Sequence, residues 1–284
     1  MHPYVLHNDE ILRAEQTCLS AGQVGFMTGW GVFSTIRVSQ GVLFAFERHF
    51  RRMQRDAKLL RVPFPERSEF LEERLQKLVE ANRATEATLR VNIVRNRGGL
   101  FEGPALTRDF DIIGFTADLN NWGEGVKLGV QPHARHAANL YAGTKVTSWM
   151  FNLNMYEQAH ERGLDEVVLL NEREEVSECT SANIFAVFGN EVVTPPLSSG
   201  CLPGVTRELL LEEVRTDGIR VTESTLRLPD LQLADELFIT STTREILPVL
   251  SIEGLRTNQG LTWKRLLESF RHYADSYVGS KVFA

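Results

Sequence analysis

Lysine is scarce in this 284-residue chain: 25 of its 31 basic residues are arginine and only 6 are lysine. Cysteine is scarcer still. Cys18, Cys179 and Cys201 are the whole complement, odd in number and without a CxxC spacing. That excludes a disulfide framework or zinc knuckle and suits a reducing cytoplasm. No uninterrupted aliphatic or aromatic run exceeds five residues, as at 42–46 and 184–188, whereas a membrane-crossing helix needs about 18 or more. MHPYVLHNDEIL at the start lacks a basic stretch followed by an apolar one, so no secretory leader is expected. Net charge is −6 with a pI near 5.7, which argues against a nucleic-acid platform or a basic membrane-surface module. Also missing are a GxGxxG after a strand, a Walker-type phosphate loop, HExxH and GxSxG. His133 and His136 lie three apart without partner ligands, so they read as loop histidines and no metal is expected.

What is present is ordinary for a globular chain: 43% hydrophobic and 24% charged residues, with 21 Gly and 10 Pro. The length suits two domains or one large one. Residues 33–38 and 42–46 around Gly41 read as a hairpin. A helical stripe of Phe46, Phe50, Met53, Ala57 and Leu60 follows, then a second of Phe70, Leu71, Leu75, Leu78 and Val79. Residues 89–94 and 111–117 read as strands, and NNWGEG at 120–125 as a linker. Beyond it the pattern predicts a strand at 126–131, a helix at 147–162 ended by Gly163, and a meander over 166–171, 175–178 and 183–188. Gly189 and Asn190 suit a two-residue hairpin turn. Helices are expected at 205–215 and 261–274, with a strand at 236–239. Without strict βαβ alternation, the fold class is α+β, divided as 1–119, a linker at 120–126, and 127–284.

Three places carry candidate chemistry. From Ala137 to Tyr156 the only charged residue is Lys145. A neutral, partly apolar neighbourhood disfavours the ammonium form and frees the amine as a nucleophile for carbonyls; the alternative is a surface lysine at a helix start. Glu178, in EVSECTSANIF, is a carboxylate able to hold a protonated pyridine nitrogen, or else an exposed hairpin glutamate. In LPGVTRELLLEEV, Gly204, Val205 and Thr206 open a helix whose free amides suit a phosphate, or merely a capped helix. Arg48, Arg51, Arg52 and Arg55 read as a solvated helix face, with room for one of them to do specific work.

Together these segments resemble the class IV, or fold-type IV, pyridoxal-phosphate aminotransferases, from GWGVFSTIRV (29–38) to TSTTREILPV (240–249). Branched-chain and D-amino-acid aminotransferases and aminodeoxychorismate lyase belong to that family. The resemblance implies a small N-terminal α/β domain, a larger C-terminal pseudo-barrel domain and pyridoxal 5'-phosphate between them. It also implies a homodimer, acting on an amino acid and a 2-oxo acid. By it Lys145 forms the Schiff base and Glu178 contacts the pyridine nitrogen. HFRRM (49–53) selects Arg52 for the phosphate, which Val205, Thr206 and Thr242 also contact. Leu202 packs on the ring, and Ser181 joins the hydrogen-bonding shell. The turn of Thr242 and Thr243 holds the substrate carboxylate through its amides.

Substrate choice is less constrained. The family's branched-chain members tend to carry a glutamate after the phenylalanine of a VFEGIR-like segment; here the segment is VFSTIR (32–37). The tyrosine and arginine of their YIRP-like motif are replaced by Arg90 and Asn92, and Phe33 stands where D-amino-acid enzymes carry tyrosine. Ser34 and Thr35 are closer to the lyase, whereas TSTTREILPV keeps the aminotransferase pattern. Phe33, Trp149 and Met150 suggest an apolar pocket, with Arg37, Arg95 and Arg97 as candidate carboxylate binders. A branched-chain-like donor is the leading expectation; D-amino-acid, (R)-amine and lyase readings stay open.

Overall fold

Strands with alternate residues buried build the first of two units in the computed structural model, which describes residues 1–100 and 106–282. Strands β1 (Tyr4–His7), β2 (Glu10–Arg13), β3 (Gly31–Ser39), β4 (Val42–Leu43), β5 (Ala87–Arg95) and β6 (Phe110–Ala117) form an antiparallel sheet ordered β2-β1-β6-β5-β3-β4. Short α1 (Val24–Thr28) precedes β3, and α2 (Phe46–Leu60) and α3 (Ser68–Asn82) lie between β4 and β5. Ile36 and Val38 of β3 and Leu89, Val91 and Ile93 of β5 share one core with Phe50, Met53 and Ala57 of α2 and Leu71, Leu75 and Leu78 of α3. Each of these side chains except that of Ala57 contributes roughly 1.5–3 kcal/mol on burial. The pleat sends Phe33, Arg90 and Asn92 to the opposite face.

Both helices end in a residue of left-handed backbone, Arg61 at φ +54° and Arg83 at φ +51°. The Val62 and Ala84 amides reach back to the Ala57 and Val79 carbonyls at 2.8 and 2.9 Å, which satisfies terminal carbonyls without a glycine.

The second unit comprises Asn121–Gly143 and Met150–Asp275; the first takes Met1–Asn120, Thr144–Trp149 and Ser276–Ala284. Its strands are β7 (Val126–Gln131), β8 (Glu166–Leu170), β9 (Val176–Cys179), β10 (Asn183–Phe188), β11 (Glu191–Thr194), β12 (Arg220–Glu223), β13 (Glu236–Ser241), β14 (Glu245–Ile252) and β15 (Leu255–Arg256). They run in the order β12-β11-β10-β13-β14-β7-β8-β9, with β15 beside β14. β9 and β10 are far apart in that order yet joined by a three-residue turn, and the Cys179 amide donates to the Ala182 carbonyl at 2.8 Å. The sheet must curl to allow this. It is the half-barrel that the pseudo-barrel expectation describes. Helices α4 (Met150–Glu161), α5 (Val205–Glu212) and α6 (Leu228–Leu233) belong to this unit, and α7 (Thr262–Val282) contributes to both.

Four local readings change. The helix expected from 147 starts at Met150, because residues 145–147 pair with β3 instead. The second hairpin strand stops at Leu43, where Ala45 at φ +52° turns the chain into α2. α5 ends at Glu212, short of 215, and α7 continues past 274 to Val282. Gly163, at φ +73°, ends α4 as expected, and Gly189, at φ +59°, makes the β10–β11 turn. Among the described residues no helix is long and apolar enough to cross a membrane.

Candidate active site

In the first unit, Lys145 is placed by its backbone. Only the far end of β3 is covered by β4, and 145–147 dock on its open edge. The Phe33 amide donates to the Lys145 carbonyl at 3.1 Å and the Thr147 amide to the Gly31 carbonyl at 3.0 Å. The Lys145 amide in turn donates to Oδ2 of buried Asp56 at 3.0 Å. The Lys145 Nζ then lies 4.6 Å from the Phe33 ring centroid and 5.8 Å from that of Trp149. The Arg90 guanidinium stacks on the same Phe33 ring at 3.6 Å, and burial lowers its pKa to about 10.

On the other face of β3, Ser34 meets α2. Arg52 donates to Ser34 Oγ at 2.8 Å, and Oγ lies 2.7 Å from His49 Nδ1. Burial holds His49 well below the usual histidine range, and the charges of Arg52 and Lys145 add to the effect. It is a neutral imidazole beside a cluster of cations. Arg48 and Arg52 are buried while Arg51 and Arg55 are exposed, so the solvated-face reading of this arginine cluster holds for only half of it. Alternate sides of one helix face different surroundings.

In the second unit, Glu178 is 9% exposed at the end of β9. Arg135 Nε donates to one carboxylate oxygen at 3.2 Å and the Leu202 amide to the other at 3.0 Å. Arg135 also reaches Asn152 Oδ1 at 3.3 Å, and Asn152 donates to the Thr180 carbonyl. Ser181 and Thr180 donate to Glu166, which is fully buried and paired with Arg244 at 3.1 Å. Val205 and Thr206 open α5 behind Gly204, which offers no side-chain cap. The first intrahelical amide there is that of Glu208, so those of 205–207 precede the ladder. A side chain at Gly204 would strike that of Asn183. Thr242 and Thr243 form the β13–β14 turn, pinned where the Trp122 indole donates to the Thr243 carbonyl at 3.1 Å.

The sequence-derived candidates thus fall into two sets. Lys145, Arg52 and Phe33 gather in the first unit; Glu178, Ser181, Leu202, Val205, Thr206, Thr242 and Thr243 belong to the second. Three arginines have other occupations. Arg37 pairs with Glu86 at 3.0 Å, and Arg97 reaches the Leu106 carbonyl at 2.8 Å. Arg95 stacks on Trp30 at 4.3 Å and donates to the Arg61 carbonyl. Met150, expected in the pocket, is 63% exposed. Sequence reasoning missed Arg135, Glu166 and Arg244. The one local sign was Glu166 heading the apolar run VVLL, a charge where a buried strand begins.

Residues 31–252 match the family model for amino-transferase class IV. The chain belongs to that family. This aminotransferase is 30% identical over 282 residues to a Methanocaldococcus jannaschii protein provisionally named a branched-chain-amino-acid aminotransferase, covering 97% of this chain and 98% of the other. It is 27% identical over 291 residues to a D-alanine aminotransferase of Listeria monocytogenes, with 99% of each covered. Its fold superposes on the Escherichia coli branched-chain amino acid aminotransferase with a TM-score of 0.88 at 26% identity, over 96% of this chain and 95% of the other. The protein is a pyridoxal-phosphate-dependent class IV transaminase with the two-domain α+β fold of its family.

Proposed function

We propose that this aminotransferase moves an amino group from an amino acid to a 2-oxo acid, with Lys145 as the amine that joins the cofactor covalently and carries the proton. The observation that supports this most directly is the placement of Lys145. The only charge in its window, it has its backbone pinned to Asp56 and β3 and its amine over two aromatic faces. When bound, pyridoxal phosphate supplies an electron sink for charge that develops at the donor's α carbon.

Within each unit, the chemistry of the donors suits such a group. Arg52, held by Ser34, offers a guanidinium for the phosphate dianion, and the uncapped start of α5 offers amides and the Thr206 hydroxyl; Thr242 would add another contact. Glu178, its charge supported by Arg135 and the Leu202 amide, retains lone pairs to accept a ring N–H. Leu202 would pack on the ring and Ser181 would support the hydrogen-bonding shell. At Nζ, Lys145 would take the α-proton and return it two atoms away, past the donor nitrogen, the work of a positioned general base.

For the substrate, a branched-chain-like donor comes first, because Phe33 and Trp149 present apolar faces beside Lys145. Of the arginines, Arg90 is our candidate for the carboxylate, because it shares the Phe33 ring with Lys145, whereas Arg37, Arg95 and Arg97 are engaged elsewhere; its Nε donates to Asn92 Oδ1 at 3.3 Å. A D-amino-acid donor is the second reading, supported by the similarity to a D-alanine aminotransferase. Such a donor would offer Arg90 the same α-carboxylate, so Arg90 serves either reading. A homodimer is part of the proposal: Leu140, Met150, Phe151 and Leu153 are between 47% and 73% exposed, a patch suited to a second copy. Three free cysteines suit the cytoplasm.

The test is a panel of L- and D-amino acids and chiral amines against 2-oxoglutarate and pyruvate, reading product chirality. Fastest transfer from an L-branched-chain donor is expected. D-products or acceptor-independent release of pyruvate would shift the assignment to the D-amino-acid enzyme or the lyase. Lys145→Ala should lose both the visible cofactor band and transfer, and Glu178→Gln should keep the band and lose most transfer. A Lys145→Ala protein retaining both would end the reading.

A further inference from the structure

Arg244 and Glu166 form an ion pair of which only 4% and 0% of the side chains are exposed. Arg244 sits in the turn between β13 and β14, directly after Thr243; Glu166 opens β8. The guanidinium is used on several sides. One terminal nitrogen lies 3.1 Å from Glu166 Oε1 and the other donates to Ser181 Oγ at 2.8 Å. Its carbon stacks 4.0 Å over the Trp122 ring, and that indole donates to the carbonyl of the neighbouring Thr243. Ser181 closes the triangle, accepting from Arg244 while donating to Glu166, which also accepts from Thr180.

Stability is a poor reason for such an arrangement. Buried ion pairs are commonly replaceable by apolar side chains of similar volume without loss, because desolvation offsets the attraction. What the pair supplies is a fixed distance between two turns: that of Thr242 and Thr243, and that of Thr180 and Ser181, which directly follows Glu178 and Cys179. The planar fork of arginine holds both partners in one orientation, as a lysine could not.

We propose that Arg244 is a positioning residue for the substrate end of the site, locking the Thr242 and Thr243 turn to the Thr180 and Ser181 turn through Glu166. This rests on the functional reading above, in which Thr242, Thr243 and Ser181 serve the site. Arg244 touches neither substrate nor cofactor; it acts through the backbone of its turn.

The experiment uses full-length protein supplied with pyridoxal phosphate and compares wild type with Arg244→Lys. KM for the amino donor should rise about tenfold while kcat changes about twofold or less, the split expected when binding geometry rather than chemistry is lost. Hydrogen exchange, read without substrate, should quicken together in peptides covering 178–183 and 240–246. An unchanged KM overturns the proposal, as does exchange that quickens in neither peptide or in only one. If Arg244→Lys does not fold, the double variant Glu166→Leu/Arg244→Met, which removes both buried charges, reads the same quantities against the same outcomes. A wild-type protein that transfers no amino group with any donor would sink the functional reading. Normal wild-type transfer with uncoupled turns would sink the role of Arg244 alone.

Discussion

The Phe33 ring holds two cations at once, the Arg90 guanidinium 3.6 Å from its centroid and the Lys145 amine 4.6 Å from the same point. Arg90 is there because β5 pleats with period two: Leu89 and Val91 go into the core, and Arg90 goes to the face that carries Phe33. A charge-assisted hydrogen bond is worth about 1.5–3 kcal/mol. Arg90→Gln should therefore raise KM for the amino donor about 10- to 100-fold with the cofactor band intact; an unchanged KM would remove Arg90 from carboxylate recognition. Local sequence made Lys145 visible, because an isolated charge in a neutral window can be noticed without knowing the fold. Arg135 and Arg244 had no such sign: their partners Glu178 and Ser181 lie 43 and 63 residues away along the chain.

At the scale of elements, the segment carrying Lys145 depends on a close approach of backbones. Gly29 has φ +66°, and a Cβ there would sit 2.9 Å from the Ser148 Cα. The Gly29 carbonyl accepts from the Thr147 hydroxyl at 2.6 Å and from that of Ser148 at 2.9 Å. Gly29→Ala should cost about 1–2 kcal/mol for the left-handed backbone alone, with the collision added. The melting temperature should fall by roughly 2–8 °C on the usual scaling. A thermal melt indistinguishable from wild type would show that the segment tolerates displacement. The amphipathic stripes of α2 and α3 and the glycine that ends α4 were readable because they are local patterns of period and turn chemistry. The pairing of residues 145–147 was not, since its backbone hydrogen bonds are made to β3, more than a hundred residues earlier.

At the scale of the molecule, the exposed apolar side chains of α4 and the preceding loop call for cover. Phe151 is 73% exposed, so an aspartate there leaves the monomer's core untouched while placing a charge in the proposed interface. Phe151→Asp should convert dimer to monomer in analytical ultracentrifugation, with the melting temperature then independent of protein concentration; an unaltered sedimentation coefficient would move the interface elsewhere. The amino-acid sequence by itself determined the α+β class, the amphipathic helices, the hairpin turn at Gly189 and the family motifs, because each is a property of short segments whose period or turn chemistry is written consecutively. Only the tertiary structure decided that Lys145 docks on β3, that Arg90 rather than Arg37 stands beside it, and that Glu178 is held by Arg135 and Glu166 by Arg244. Those are distances between residues remote in the chain, and they exist only once each sheet has formed and buried the charges that must then find one another.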